Sequence, residues 1–313
     1  MAYQNVGTPR FFVNVLEWLA SVDAITLPSD HFKTLPVNPT LFTNLSGFNW
    51  GIGEVFSQNC FFAFLGHTRV SDNALTPGSG GIDLYLDPGG AGTAYSNDIQ
   101  INVGKANSSQ GSSVPEHDGF SLASITETGL YNMVLNAYGN VGSIILGTYY
   151  NMPNAPDLSL TMSREYGGTN EFTTYNGSSM SNTMWSKAPK WGDLGAWEIG
   201  GGIPQLSKSG RRSWGLKFSY MDDGDLWGSN QSLSFLDVTN NVEFDYNLLT
   251  DYSFFSQVWH KTLGGTLPFI FQPDSSNNNP DQFAICKFKD NSLKATQSAF
   301  NVYDISLSIE EVW

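Results

Sequence analysis

The chain has 313 residues, of which 40% are hydrophobic, 14% aromatic and only 14% charged. With 15 basic and 29 acidic residues its formal net charge is -14, which argues against binding nucleic acid through basic patches. No apolar stretch of about 18 residues predicts a membrane span, and the first residues do not resemble a signal peptide. We therefore expect a soluble protein that is made in the cytoplasm.

The composition favours a chain rich in β-strands and turns. A typical soluble domain has roughly 25% charged residues, so the low charge also indicates a surface that partners partly cover. Cys60 and Cys286 each lie in an apolar run, and no Cys/His cluster has metal-ligand spacing. We interpret both cysteines as buried hydrophobic residues, and we expect no cofactor.

The first predicted element is residues 9–20, PRFFVNVLEWLA. Phe11 and Val13 alternate as in a strand, whereas Leu16 and Leu19 fit a helical face. We interpret this stretch as a strand that leads into a short turn.

Residues 40–150 carry short β-type segments separated by turns rich in Gly, Pro and Asn. This pattern is typical of a β-sandwich or jelly roll. The predicted strands are 60–66, 82–86, 99–104, 130–138 and 143–150.

A polar connection follows, with an alternating strand from residue 158 and a long, partly extended loop predicted over 176–191, NGSSMSNTMWSKAPKW. Loops of that length in ordered proteins are usually functional or covered by a partner. Because aromatic residues dominate subunit contacts, we expect an interface here. The candidates for subunit contact are Met180, Met184, Trp185, Trp191 and Trp313.

The last third begins with an alternating strand over 211–221. A helix is predicted over 251–265, with Asp251 or Ser253 as its N-cap and Gly264 as its end. The predicted strands that follow are 268–274, 282–288 and 301–313. One helix on a small antiparallel sheet is an α+β arrangement.

Five stretches of this part occur in an order that resembles the tail-tube and distal-tail (hub) proteins of long-tailed phages. They are SGRRSWGLKFSYM, DYSFFSQVWHKTLGG, LPFIFQPD, QFAICKF and YDISLSIEEVW. The resemblance covers about residues 158–313 and implies a β-sandwich or split barrel with one flanking helix and a long hairpin for ring-to-ring contacts. It implies a structural virion protein that pairs with copies of itself in a ring and with other tail proteins. DNA would pass through the lumen without specific binding.

A second resemblance lies in FFAFLGHTRV, residues 61–70. It looks like a strand of the jelly-roll, carbohydrate-binding-like modules that are inserted in phage baseplate proteins, with Thr68 where that pattern has Asn. Tyr149 and Tyr150 are either core residues, anchors of a subunit contact, or candidates for binding host surface glycans, because aromatic rings stack on sugar C–H surfaces.

These observations predict a mainly β fold: a tail-tube-like β-sandwich or barrel with one flanking helix and an inserted jelly-roll domain. The predicted division is an N-terminal strand or arm over 1–39 that joins the hub unit, the jelly roll over 40–157, and the hub-like domain with one helix over 158–313.

Residues that suggest chemistry are few. In MDDGDLWGSN, Asp222, Asp223 and Asp225 lie close together, but the spacing is not that of an EF-hand. Either they are solvated loop carboxylates or they form a weak cation site at a subunit contact. The chain has four histidines, but no G-x-S-x-G motif supports a Ser/His/Asp hydrolase triad that would include one of them. We therefore expect no enzyme and no catalytic residues.

Three functions stay open at this point. The first is a distal-tail or baseplate hub subunit, and the second is a major tail tube protein with an outer decoration domain. The third, from another class, is a carbohydrate-binding module for host recognition.

Overall fold

The computed structural model describes residues 7–35, 40–41, 45–65, 82–87, 99–103, 120–125, 128–137, 140–165, 169–183, 210–228, 251–278 and 282–312. These residues form a mainly β structure with antiparallel strand pairing. This confirms the predicted fold class at that level.

The described residues form eighteen strands. They are β1 (Arg10–Asn14), β2 (Thr40–Leu41), β3 (Leu45–Asn49), β4 (Cys60–Leu65), β5 (Ile82–Asp87), β6 (Ile99–Val103), β7 (Phe120–Ile125), β8 (Asn132–Ala137), β9 (Asn140–Val141), β10 (Ser143–Asn151), β11 (Thr161–Glu165), β12 (Thr169–Thr173), β13 (Ser179–Thr183), β14 (Arg211–Asp222), β15 (Phe269–Gln272), β16 (Ala284–Phe288), β17 (Ala295–Ala299) and β18 (Val302–Glu311). The helices are α1 (Val15–Ser21), α2 (Asp223–Leu226), a π-helix (Phe255–His260) and two 3-10 helices (Asp30–Phe32 and Gly53–Phe56).

Ten of these strands form one sheet in the order β11-β14-β18-β16-β15-β1-β10-β4-β7, with β17 also paired to β18. A separate four-stranded sheet has the order β3-β8-β5-β6, and β12-β13 and β2-β9 form two-stranded pairs. The ten-stranded sheet takes strands from all three predicted segments. The predicted boundaries at 39/40 and 157/158 therefore do not separate sheets, because strands on both sides of them are hydrogen-bonded in the same one.

The long pair β14-β18 follows the alternation of its sequence. Trp214, Leu216 and Phe218 of β14 are buried, and so are Ile305, Leu307 and Ile309 of β18, while the residues that alternate with them are more exposed. Because side chains of a strand alternate between the two faces, this pair turns one apolar face to the core.

The segment 9–20 contains both structures that its pattern suggested. β1 ends at Asn14, whose side chain accepts a hydrogen bond from the backbone N–H of Glu17 at 3.3 Å and so caps α1. The expected short turn is wrong: two turns of helix follow the strand. Their apolar side chains, including Leu16 and Leu19, are buried.

The predicted helix over 251–265 is much shorter in the structure. Its regular part is the π-helix, and Ser253 Oγ accepts from the backbone N–H of Ser256 at 3.2 Å near its start. Gly264 adopts a left-handed φ of 66°, and its N–H donates to the Trp259 carbonyl at 2.9 Å. The helix itself ends earlier than predicted, at His260 with Lys261 as its C-cap. Gly264 lies in the turn that follows, after Leu263, which is the first residue there with a left-handed φ, at 52°.

Several elements were missed from the sequence, among them β3, β7, β12 and α2. The stretch predicted as a loop from residue 176 contains strand β13, which pairs with β12. β17 was also missed, because its sequence ATQSA is small and polar and shows no apolar alternation.

Candidate functional site

The β12-β13 hairpin is exposed over most of its length that the structure describes. Within the described residues its strands pair only with each other, and residues 171–181 are exposed except for Thr174. Phe172 and Met180 lie directly opposite each other in the register and are each 52% exposed. Tyr175, at the turn, is fully exposed.

An apolar cross-strand pair on such a hairpin needs a covering surface. A two-stranded hairpin alone is marginally stable in water, and facing apolar side chains stabilise it more when another surface removes them from water. Glu171 is the single charged residue in 169–183, and strand alternation directs it to the face opposite Phe172. The Phe172 face of the hairpin thus carries no charged side chain.

The strand that leads into this hairpin is itself an exposed edge. All five residues of β11 are exposed, and β11 lies at one end of the ten-stranded sheet order. Met162 in β11 and Leu158 just before it are 53% and 72% exposed. Edge strands carry backbone groups that can pair with another chain, so apolar side chains and an open edge occur together here.

Of the five predicted subunit-contact residues, the structure describes one. Met180 is exposed on the hairpin, whereas Met184, Trp185, Trp191 and Trp313 lie outside the described residues. Phe172 and Tyr175 were missed in the sequence. The signal that could have found them is the dipeptide Asn176-Gly177, a strong hairpin marker; Gly177 indeed has a φ of 80°.

The two glycan candidates occupy different environments. Tyr150 is 2% exposed, and its hydroxyl donates to the Asp225 carbonyl at 2.9 Å. Burial raises the pKa of its phenol, with smaller effects from Asp225 and Tyr252. A ring held in the core offers no face to a surface sugar. Tyr149, its neighbour on β10, is half-buried.

The acidic residues at α2 have structural roles. The Asp222 carboxylate accepts from the backbone N–H of Asp223 at 2.9 Å and caps α2. The pKa of Asp225 is raised by burial and then by Asp222. Among the described residues, no group of three or more acidic, His or Cys side chains is arranged to hold a metal ion.

A polar spot lies between two hydrophobic clusters on one face of β10. Leu146 belongs to one cluster and Tyr150 to the other, and Thr148 lies between them on the same side. Lys261 Nζ donates to Gln257 Oε1 at 2.8 Å and to Thr148 Oγ1 at 3.5 Å. Lys261 is 0% exposed, and burial lowers its pKa to about 7.

A second buried cation has a carboxylate partner. Arg212 on β14 forms an ion pair with Glu311 on β18 at 2.9 Å and also donates to the Phe283 carbonyl at 2.7 Å. Both side chains are less than one-tenth exposed. Charge-assisted bonds of this geometry fix the relative positions of the strands that carry them.

Comparisons with known proteins give no relatives for this chain. No protein-family model, no curated protein and no solved structure matches it significantly. In the part of the chain that the structure describes, every helix is too short or too polar to span a lipid bilayer.

Proposed function

We propose that this chain is a structural protein of a tailed-phage virion, in which copies of the chain form a ring at the distal end of the tail. The observation that carries the proposal is the exposed β12-β13 hairpin with its apolar pair Phe172 and Met180. The resemblance of residues 158–313 to tail-tube and distal-tail proteins supports the same function from the sequence.

In this proposal the strands from β11 onward, with the π-helix, correspond to the tail-tube-like unit and its flanking helix. The four-stranded sheet β3-β8-β5-β6 corresponds to the inserted jelly roll, which projects from the ring. Such a virion protein is assembled in the host cytoplasm and then resides in the tail.

The partners follow from the surface. The hairpin of one copy docks on a neighbouring copy, and the exposed edge β11 lies next to it in the chain. Burying the Phe172 and Met180 side chains would contribute about 25 cal/mol for each Å² of apolar surface removed from water. The net charge of -14 keeps DNA from adhering to the assembled protein.

The test is the assembly state of a hairpin variant. Phe172→Ser with Met180→Ser removes the apolar pair, and Val22→Ser, at a residue 44% exposed on another element, is the matched control. We expect sedimentation velocity and negative-stain electron microscopy to show oligomers for the wild type and the control and monomers for the double variant. A wild type that stays monomeric at every concentration, or a double variant that assembles like the wild type, would contradict the proposal.

The position in the tail is decided by copy number. A hub ring contributes few copies to each virion, whereas a major tail tube protein contributes many. Densitometry of stained gels of purified virions, with the capsid protein as the internal standard, distinguishes these two structural functions.

A further inference from the structure

Arg10 is a half-buried cation for which the described residues provide no acidic partner. Arg212 is paired with Glu311, and exposed lysines such as Lys217 and Lys289 also have carboxylate partners. Arg10 forms no ion pair within the described residues, although the chain has 29 acidic residues. Its Nε donates to the Asn151 side-chain oxygen, which leaves the two terminal nitrogens of the guanidinium for another acceptor.

Polar and aromatic groups converge on this guanidinium. Its central carbon lies 4.8 Å from the ring centroid of Tyr149. Burial lowers the pKa of Arg10, and Tyr149 and Tyr252 act on it in the opposite direction. Tyr252 is 37% exposed, and its hydroxyl interacts with the Asn151 backbone and the Asn59 side chain. We call Arg10, Asn59, Tyr149, Asn151 and Tyr252 the Arg10 cluster.

The strand ends bring the cluster together. Arg10 is the first residue of β1 and lies in register with Asn151, the last residue of β10. Asn59, just before β4, accepts from the backbone N–H of Tyr149 at 2.9 Å. Asn59 has a φ of 51°, a conformation that asparagine tolerates. Each of the five residues is partly exposed, so the cluster lies at the surface.

We propose that the Arg10 cluster binds a sugar that carries a carboxylate. The planar guanidinium matches a carboxylate with two parallel N–H donors. The partly exposed rings of Tyr149 and Tyr252 offer apolar faces to the sugar C–H groups, and the Asn59 side chain and tyrosine hydroxyls offer partners for the sugar hydroxyls. This inference goes beyond the proposed assembly function and concerns a different surface from the hairpin.

The charge of the cluster selects this ligand over other anions. Arg10 is its single cation, and the chain around it is strongly acidic. One positive charge neutralises one carboxylate, whereas it leaves a phosphate dianion half neutralised and a nucleic acid backbone almost unneutralised. The aromatic faces favour a carboxylate borne on a ring over a simple carboxylic acid.

The experiment measures saccharide binding to the full chain by isothermal titration calorimetry and saturation-transfer NMR. The probes are trigalacturonate and sialyl-lactose, with the neutral trigalactose and lactose as counterparts and inorganic phosphate as the anion control. We expect an acidic probe to bind, its neutral counterpart and phosphate to bind at least about tenfold more weakly, and binding to weaken with salt.

Variants assign the binding to the cluster. Arg10→Gln is expected to weaken the acidic probe at least about tenfold, and Arg10→Lys is expected to restore it only partly, because lysine lacks the fork of donors. Tyr252→Phe, which keeps the ring, provides a second variant if Arg10→Gln unfolds, and it is expected to weaken binding modestly. Lys294→Gln removes an exposed positive charge elsewhere and is the control.

The inference is overturned if neither acidic probe binds the wild type, or if phosphate or the neutral sugars bind as tightly as the acidic ones. It is also overturned if folded Arg10→Gln binds the acidic probe like Lys294→Gln. An effect of Arg10→Gln on the assembly state with no effect on sugar binding would assign Arg10 to a subunit contact instead.

Discussion

At the scale of single residues, Lys261 is a basic group in a buried, uncharged environment. Its ammonium is fully buried, and within the described residues its hydrogen-bond partners are the neutral side chains of Gln257 and Thr148. Burial of an unpaired charge lowers the pKa of a lysine because the neutral amine needs no compensating solvation. The cross-strand neighbour of Thr148 is Cys60, which raises the Lys261 pKa by a smaller amount.

This burial predicts a pH-dependent stability. The folded-state pKa of about 7 lies below the unfolded value of about 10.4. Between these values the unfolded chain binds more protons, so Lys261 adds stability as pH rises, by at most about 1.4 kcal/mol per pH unit. Below about pH 7 that stabilisation is absent, because the buried amine is then protonated in the folded state too.

Lys261→Met tests this contribution. Relative to the wild type, the variant is expected to be more stable at pH 6.5 and to lose that advantage steadily towards pH 10. The measurement is the difference in urea unfolding free energy between variant and wild type, which cancels other titrating groups such as Tyr150 and Cys286. Lys217→Met, at a lysine whose side chain is 49% exposed, is the control for removing a lysine from the surface. A stability difference for Lys261→Met that does not change with pH would contradict the burial argument.

At the scale of elements, the contact between β1 and β10 depends on a glycine. A Cβ built on Gly147 would lie 1.8 Å from the backbone carbonyl oxygen of Val13. Because that oxygen belongs to the neighbouring strand's backbone, it cannot move aside as a flexible side chain would. Glycine inside a strand often marks such a close approach.

We therefore expect Gly147→Ala to destabilise the fold by more than about 3 kcal/mol, at the upper end of single substitutions. The matched control is Gly224→Ala in α2, where a Cβ meets nothing within 4 Å and alanine favours the helix by up to about 1 kcal/mol. Chemical denaturation of both variants measures the two effects. If Gly147→Ala were as stable as Gly224→Ala, then β1 and β10 could move apart to accommodate the Cβ without a loss of stability, which would contradict the prediction.

The same elements show what the sequence could predict. Strands with clear alternation, such as β14 and β18, were found to within a few residues, because one of their faces is buried and the other is not. The end of the helix was predicted too late, at Gly264, because the helix stops at His260 and its first left-handed residue is Leu263, a residue type that does not mark a helix end. The hairpin was missed because its apolar residues point to solvent in the single chain, so no buried face imposes a pattern on strand β13.

Several features of the structure depend on tertiary contacts, which the local sequence pattern does not show. In segment 9–20 both periodicities are present, and the capping side chain of Asn14 marks the change from strand to helix. The Arg10 cluster joins residues from four distant parts of the chain. These residues come together because β1, β10 and β4 are neighbours in the sheet. The order of strands in the sheet could not be predicted from the spacing of residues in the sequence. Tyr149 and Tyr150 are adjacent in sequence, but strand alternation separates a surface ring from a core ring.

At the scale of the whole molecule, the continuous sheet has apolar clusters on both faces. Phe11 and Phe12 are adjacent in β1 and belong to different clusters, and both are at most 1% exposed. Core burial therefore engages the central strands on both sides, whereas β11 and the hairpin are left exposed. In a chain with this distribution the burial of apolar residues is greatest at the centre of the sheet, and the exposed apolar side chains of β11 and the hairpin lie at its periphery.

The net charge of -14 on each copy bears on assembly of the whole molecule. Copies brought together through an uncharged hairpin face repel each other through their remaining surfaces, and salt screens this repulsion over about 10 Å at 0.1 M and about 3 Å at 1 M. We expect association of the wild type, measured by sedimentation velocity, to strengthen from low to high NaCl. The hairpin double variant Phe172→Ser with Met180→Ser is expected to stay monomeric over the same range. Weaker association at high salt would mean that ion pairs between copies, rather than the apolar hairpin, hold the assembly together.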